Sequence, residues 1–423
     1  MSVTAATAGG SQASEAIAAA ALLRRTATVR QRAGALLARA RGGGSEGFRV
    51  DDAALEAAAA QVAEVTRRRY PDLRIPYHSR WRHFEPGGVS RLAWIDEALA
   101  AGGAAPDAAE RARAQIDLVV VSVLLDAGAG PRWIWREART GLALGRSEGL
   151  GLASLQAFLD GLFSSDPACP ARCDAAGLAA LQPGALAAAF QAGPDNPLVG
   201  LEGRAALLHR LGQALRARPD VFGPLGRPGA LFDHLCAAGH GRVAAHDILS
   251  LLLDTLSGIW PAGNRVGDVP LGDCWPHPAA RGPGASDGWM PFHKLSQWLS
   301  YSLLEPFEWA GIPVTGLAEL TGLPEYRNGG LLLDHGVLRL RDPAQAARRH
   351  PAGSPLIVEW RALTVALLDE LAPRVLARLG PGAAGLPLAC VLEGGTWAAG
   401  REMARDLRDG SPPLDIDSDG TVF

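Results

Sequence analysis

Lysine is nearly absent from this 423-residue chain: Lys294 stands alone beside forty arginines. Lysine is ordinarily among the commonest residues, and an Ala-, Gly- and Arg-rich composition indicates a coding bias that replaces it wherever a guanidinium serves. The survivor therefore marks a place where a compact amine of tunable pKa is needed. Cysteine is scarce too, with only Cys169, Cys173, Cys236, Cys274 and Cys390. An odd, scattered set argues against a disulfide framework and points to reduced thiols in a cytoplasmic protein. Long apolar runs are missing. The stretch Ile116–Leu125 is too short to span a bilayer and reads as a buried segment. A formal net charge of −3 excludes a protein that holds bulk nucleic acid or anionic membrane by net charge.

Several familiar motifs are also lacking. There is no Walker lysine motif and no H-E-x-x-H. The glycines Gly128 and Gly130 follow a β-branched run, as in a dinucleotide loop. Trp133 stands where the third glycine belongs, and Pro131 removes an amide that a phosphate would need. Asp268, Asp273 and His277 match no standard ligand spacing, so no metal is expected, nor any organic cofactor.

What is present is helix after helix. With 48% hydrophobic residues the chain has material for a large core, and its length suits two or three domains. Apolar residues recur at three and four over Leu55–Arg69, Ala108–Leu125, Leu152–Leu162, Arg204–Ala217, Ala244–Leu256 and Leu356–Leu379. The expected class is all-α and multi-helical. The Ala-rich start lacks a basic stretch ahead of its apolar run, so it reads as an amphipathic helical arm rather than a secretory signal. The glycines at 42–44 separate this arm, 1–45, from a helical body, 46–423, expected to form two lobes with the pocket between them. Only Trp260–Pro291 breaks the helical pattern at length, with Pro, Gly, Asn, Asp and three tryptophans.

Four clusters could carry chemistry. Tyr77, His78, Arg80, Trp81, Arg82, His83 and Phe84 set forked donors beside flat apolar surfaces, suited to an anion such as phosphate. Trp260, Asn264, Asp268, Asp273 and His277 sit in loop sequence able to read hydroxyl groups. Near Lys294, the residues His293, Gln297, Trp298 and Tyr301 share or flank one polar, aromatic helix face, taken as a pocket wall. Finally Glu325, Tyr326, Arg327 and Asn328 precede an apolar helix containing Asp334. Position alone favours simple helix capping for Glu325, whose charge suits the dipole after Pro324.

Three segments resemble the uracil-catabolism protein family of the non-reductive uracil degradation route: Pro76–Phe84, Trp260–His277 and Glu393–Arg401. The tail Ser418–Phe423 resembles it as well, and the likeness covers 46–423. A more distant likeness runs from Phe292-His293-Lys294 with Gln297 to Leu320–Arg327 and Gly336-Val337-Leu338. These resemble paired motifs of queuosine-nucleotide salvage glycosidases, all-helical proteins similar to helix-hairpin-helix DNA glycosylases; that family usually has aspartate where Glu325 stands.

The resemblances imply a DNA-glycosylase-like architecture and an N-ribosyl hydrolase that splits ribosylurea, as its 5′-phosphate, into urea and ribose phosphate. Under them Glu325 and Lys294 are catalytic. Trp260, Asn264, Asp268, His293, Gln297, Trp298, Tyr326 and Asp334 bind substrate, and Arg80, Arg82 and Arg327 hold phosphate. The expected partner is a small ribosyl compound, with neither nucleic acid nor membrane. The alternatives are a salvage glycosidase for another modified nucleotide, and a non-catalytic ligand-binding protein on the same fold.

Overall fold

A computed structural model describes residues 4–100, 105–126 and 128–417. The tail motif Ser418–Phe423 lies outside them. The chain divides into two compact units. One is built from Met1–His78, Ala262–Gln297 and Leu317–Ser418; the other from Ser79–Pro261 and Trp298–Gly316. Both are helical, and the described strands are two or three residues long and pair only two at a time. The all-α, multi-helical expectation holds.

In the first unit the helix Pro355–Leu379 is the central element. Val358, Ala362 and Val365 on it pack with Val29, Ala33 and Leu36 of the helix Thr26–Arg41 and with Met290 and Phe292. The N-terminal arm is thus stitched into this core. A second apolar cluster joins Ala16, Ala20 and Leu23 to Val266, Leu271 and Cys274. The irregular stretch after Trp260 resolves into two short hairpins, Arg265–Val266 with Val269–Pro270 and Cys274–Pro276 with Trp289–Pro291. These bring Asp273 back against the residues that precede Lys294.

In the second unit the apolar stretch after Ile116 belongs to the helix Ala108–Leu124, started by Asp107, whose carboxylate accepts from Glu110 N. Leu118, Val119, Val121 and Val123 are buried, as expected. Asp117 on that helix is buried as well. Burial raises its pKa to about 6 against the pull of Arg227, which pairs with it at 2.6 Å. The helices Arg146–Leu159 and Leu201–Ala217 pack on the helix Ala108–Leu124, and Ala245–Leu256 packs on Leu201–Ala217. Among the described residues no helix is long and apolar enough to cross a membrane.

Candidate functional site

Lys294 opens the helix Lys294–Trp309, and a single aspartate organises that start. The Asp273 main-chain oxygen accepts from Phe292 N and His293 N, and its Oδ2 accepts from Lys294 N at 2.9 Å. His293, held at φ 52, turns its Nε2 to Leu23 O at 3.0 Å. Arg361 then grips Asp273 with two hydrogen bonds of 2.8 Å and lies 4.0 Å over the Phe292 ring. Burial by itself raises a carboxylate pKa. Here the Arg361 charge and hydrogen bonds, with those from Lys294 N and the Trp275 indole, outweigh it and hold Asp273 at about 2.

The same arginine reaches the second motif, since Arg361 Nε donates to Pro324 O at 3.4 Å. Gln297 adds a clamp: its Oε1 accepts from Thr321 N at 2.9 Å, and its Nε2 donates to Thr321 Oγ1 and, at 3.4 Å, to Phe292 O. The lysine motif and the loop entering Glu325 are therefore tied at two points by buried groups.

Glu325 precedes the helix Tyr326–Asp334 as its N-cap, with Oε2 accepting from Arg327 N at 3.0 Å and Oε1 from Asn328 N at 2.8 Å. The capping predicted from position is real, and the helix proper begins at Tyr326. The cap fixes the carboxylate's orientation. The Arg327 guanidinium stands 3.7 Å from Glu325 Oε2 and 4.6 Å over each of the Tyr326 and Trp397 rings. Trp397 comes this close because Gly400, a turn further on, packs against main chain; a Cβ there would lie 2.1 Å from Arg327 O. Beside Trp397, His78 Nδ1 meets Glu393 Oε2 at 2.8 Å. Arg69 and Tyr70 also donate to Glu393. Burial raises this carboxyl's pKa, but His78 and Arg69 overcome that and hold it at about 2. Glu393 sits in a π-helical turn, Leu392–Thr396, a form frequent at functional sites.

The first unit thus contains His293, Lys294, Gln297, Glu325, Tyr326 and Arg327, together with Asn264, Asp268 and Asp334. Asn264 is half-buried, and its Nδ2 meets no hydrogen-bond partner. Asp268 is exposed, while Asp334 is engaged by Arg408 through bonds of 2.8 and 2.7 Å. Arg80, Arg82, Trp260 and Trp298 belong to the second unit. There Arg80 is fully buried, 3.0 Å from Asp126, bonded to Ser122 Oγ at 2.7 Å and 5.8 Å over the Trp298 ring. Arg82 pairs with Glu305 at 2.7 Å and with Glu85 at 2.9 Å, and it lines a cavity with Trp81, Phe84 and Trp309. Burial pushes Glu305 up to about 7, against Arg82 and a hydrogen bond from Ser79.

Arg361 was not anticipated. Its signal is present all the same, as one of two charged residues, with Glu359, in the largely apolar stretch Leu356–Leu368 of a long helix, where burial demands a partner. Among the described residues, no group of three His, Cys, Asp or Glu could hold a metal ion.

Comparison with known proteins agrees with the motif resemblance. A family model described as "Protein of unknown function (DUF1688)" matches residues 22–423. Protein urg3 of Schizosaccharomyces pombe is 43% identical over 356 residues, covering 82% of this chain and 84% of that protein. Uracil catabolism protein 4 of Lachancea kluyveri is 40% identical over 379 residues, covering 82% of this chain and 85% of that protein. The likeness to the uracil-catabolism family read from Pro76–Phe84, Trp260–His277 and Glu393–Arg401 is borne out, and the chain belongs to the DUF1688 family.

Proposed function

We propose that this protein acts in uracil catabolism as an N-ribosyl hydrolase, cleaving ribosylurea 5′-phosphate to urea and ribose 5-phosphate. One curated relative, named for uracil catabolism, supports the pathway, and it shares about two fifths of its residues with this chain over the aligned length. The observation that carries the chemistry is the bridge through Arg361, which binds Asp273 under Lys294 and also the carbonyl of Pro324 before Glu325. The bridge ties the main chain at Lys294 to the main chain before Glu325, which supports an amine and a carboxylate acting together in acid–base work.

In the reaction the C1′–N bond breaks, water oxygen bonds to C1′, and a proton passes to the departing ureido nitrogen. Positive charge grows on the sugar as the bond lengthens. The Glu325 carboxylate, oriented by the amides of Arg327 and Asn328, stabilises that charge or takes the proton from water. Lys294 supplies the proton to the leaving group, a task arginine performs poorly because it scarcely gives one up. Arg327, stacked on Tyr326 and Trp397, receives the phosphate. The DNA-glycosylase-like architecture belongs to this same reading.

The aromatic shelf of Tyr326 and Trp397 favours one alternative, a glycosidase for a nucleotide with a larger base. A mass-spectrometric time course separates the two. Purified protein is incubated with ribosylurea 5′-phosphate, ribosylurea or a panel of modified nucleotides, with Glu325→Gln as control. Enzyme-dependent urea and ribose 5-phosphate are expected; cleavage of a modified nucleotide instead selects the alternative, and binding without turnover removes both.

A further inference from the structure

The helix that supplies Arg361 also supplies Glu359. Two residues apart on a helix of 3.6 residues per turn, they point about 200° from one another. Glu359 therefore faces away from Asp273 and the lysine motif. It lines a separate cavity of about 240 Å³ in the first unit, with Arg39, Glu46, His277, Asp342 and Gln345 around it.

The Glu359 carboxylate is hydrogen-bonded through one oxygen and ion-paired through the other. Its Oε2 accepts from Ser45 Oγ at 2.9 Å, and the chain passes so close that a Cβ on Gly47 would lie 3.0 Å from the same oxygen. Glu359 is 3% exposed, yet among the described residues its Oε1 has no hydrogen-bond partner, only the ion pair with Arg39 Nη1 at 3.5 Å. A buried carboxylate oxygen left unbonded is costly, which is the signature of a position awaiting a donor.

His277 supplies the complementary group. Its Nδ1 accepts from Ala279 N at 3.2 Å, so in the neutral ring the proton resides on Nε2. Burial, aided by the charge of Arg39, lowers the pKa to about 4 and keeps the ring neutral near pH 7. Glu359 Oε1 thus lies as an acceptor buried in the cavity wall, and His277 Nε2 and the Arg39 guanidinium are donors beside it. A simple cation answers only the carboxylate, and a simple anion only the donors. An N–H group beside a carbonyl answers both.

We infer that this cavity is a second binding site, taking a small neutral compound with a primary amide or ureido group: its N–H donates to Glu359 Oε1 and its carbonyl accepts from His277 and Arg39. The inference is independent of the roles given to Lys294 and Glu325, and it bears on the same pathway because a ureido group is the leaving group proposed above.

Ligand-observed NMR titration on the full chain tests it, with methylurea and acetamide as donor–acceptor probes, guanidinium and methylammonium as cations, and acetate as an anion. Saturable methylurea binding is expected, weakened about tenfold or more by His277→Phe and by Glu359→Gln and unchanged by Glu325→Gln. Arg39→Gln, at a half-exposed side chain, guards against misfolding of the buried variants and is also expected to weaken binding; melting temperature is followed for all four. Tighter binding of guanidinium or methylammonium, absence of saturable methylurea binding, indifference of that binding to all three cavity variants, or its loss in Glu325→Gln overturns the assignment. The last of these places the ureido group at the catalytic locus instead. Failure of this site leaves the mass-spectrometric assay of turnover untouched, so the two readings fall separately.

Discussion

Arg361 and Asp273 form a two-pronged ion pair, 2.8 Å at each contact, with side chains 1% and 8% exposed. The pair does more than neutralise two buried charges. Asp273 holds the first amide of the Lys294 helix, and Arg361 holds the carbonyl before Glu325, so the two motifs share one support.

Arg361→Met removes the cation and strands the carboxylate. Loss of one partner of a buried pair costs about 3–5 kcal/mol, and urea denaturation at pH 7 is expected to show a loss of that order. The acid limb carries a second signature. Asp273 lies at about 2 in the folded chain against an ordinary 3.8, so the pair's stabilisation is complete above the higher value and is lost as pH falls towards the lower. In the variant that dependence flattens.

Lys294→Arg keeps the charge and the amide held by Asp273, and it is expected to reduce turnover at least a hundredfold, on the order of general acid–base catalysis, while leaving the melting temperature within a few degrees. Glu325→Gln is expected to bind ribosylurea 5′-phosphate and not cleave it. Turnover by quench-flow and binding by calorimetry distinguish these outcomes from misfolding; near-normal turnover in the arginine variant ends the argument from the lone lysine.

Glu305 titrates near neutrality. Burial raises its folded pKa to about 7 from 4.5, so its protonated form favours folding; that contribution is present below the lower value and lost as pH rises through the higher one. Carbon-13 NMR of labelled glutamate is expected to show a carboxyl with a midpoint close to 7. Removing the neighbouring charge by Arg82→Ala moves the midpoint further up, because Arg82 is the main influence opposing burial. An unchanged midpoint contradicts the pairing seen at 2.7 Å.

Gly400→Ala is expected to lower stability by about 1–3 kcal/mol, the usual cost of overpacking, because the new methyl lies against Arg327 O. Since that contact sets the stacking of Trp397 on Arg327, quenching of tryptophan fluorescence by phosphate is also expected to change. Melting and fluorescence titration check the two effects together.

Much of the scaffold was legible because helices announce themselves by period. Leu55–Arg69 was read to its ends, and Pro355–Leu379 within a residue, from apolar spacing and the flanking Pro and Gly. The break after Trp260 was legible too, since Pro, Gly and Asp rule out helix there. The arm before residue 45 read as separate from the body, but Val29, Ala33 and Leu36 enter the core of the first unit, a contact no local pattern carries. At Glu325 the sequence offered capping and catalysis as rivals. The structure makes the carboxylate a cap.

The sequence alone determined the helical class, the lone lysine, and the motifs that place the chain in its family, because composition and local period are properties of neighbours along the chain. Tertiary structure decided the rest. It set Asp273 and Arg361, 88 positions apart, in one buried pair. It left one oxygen of Glu359 unbonded beside the cavity that His277 lines. It also committed Arg80 to Asp126 and Asp334 to Arg408. A buried charge must find an opposite charge or a hydrogen bond, and which one it finds is fixed by packing between distant segments.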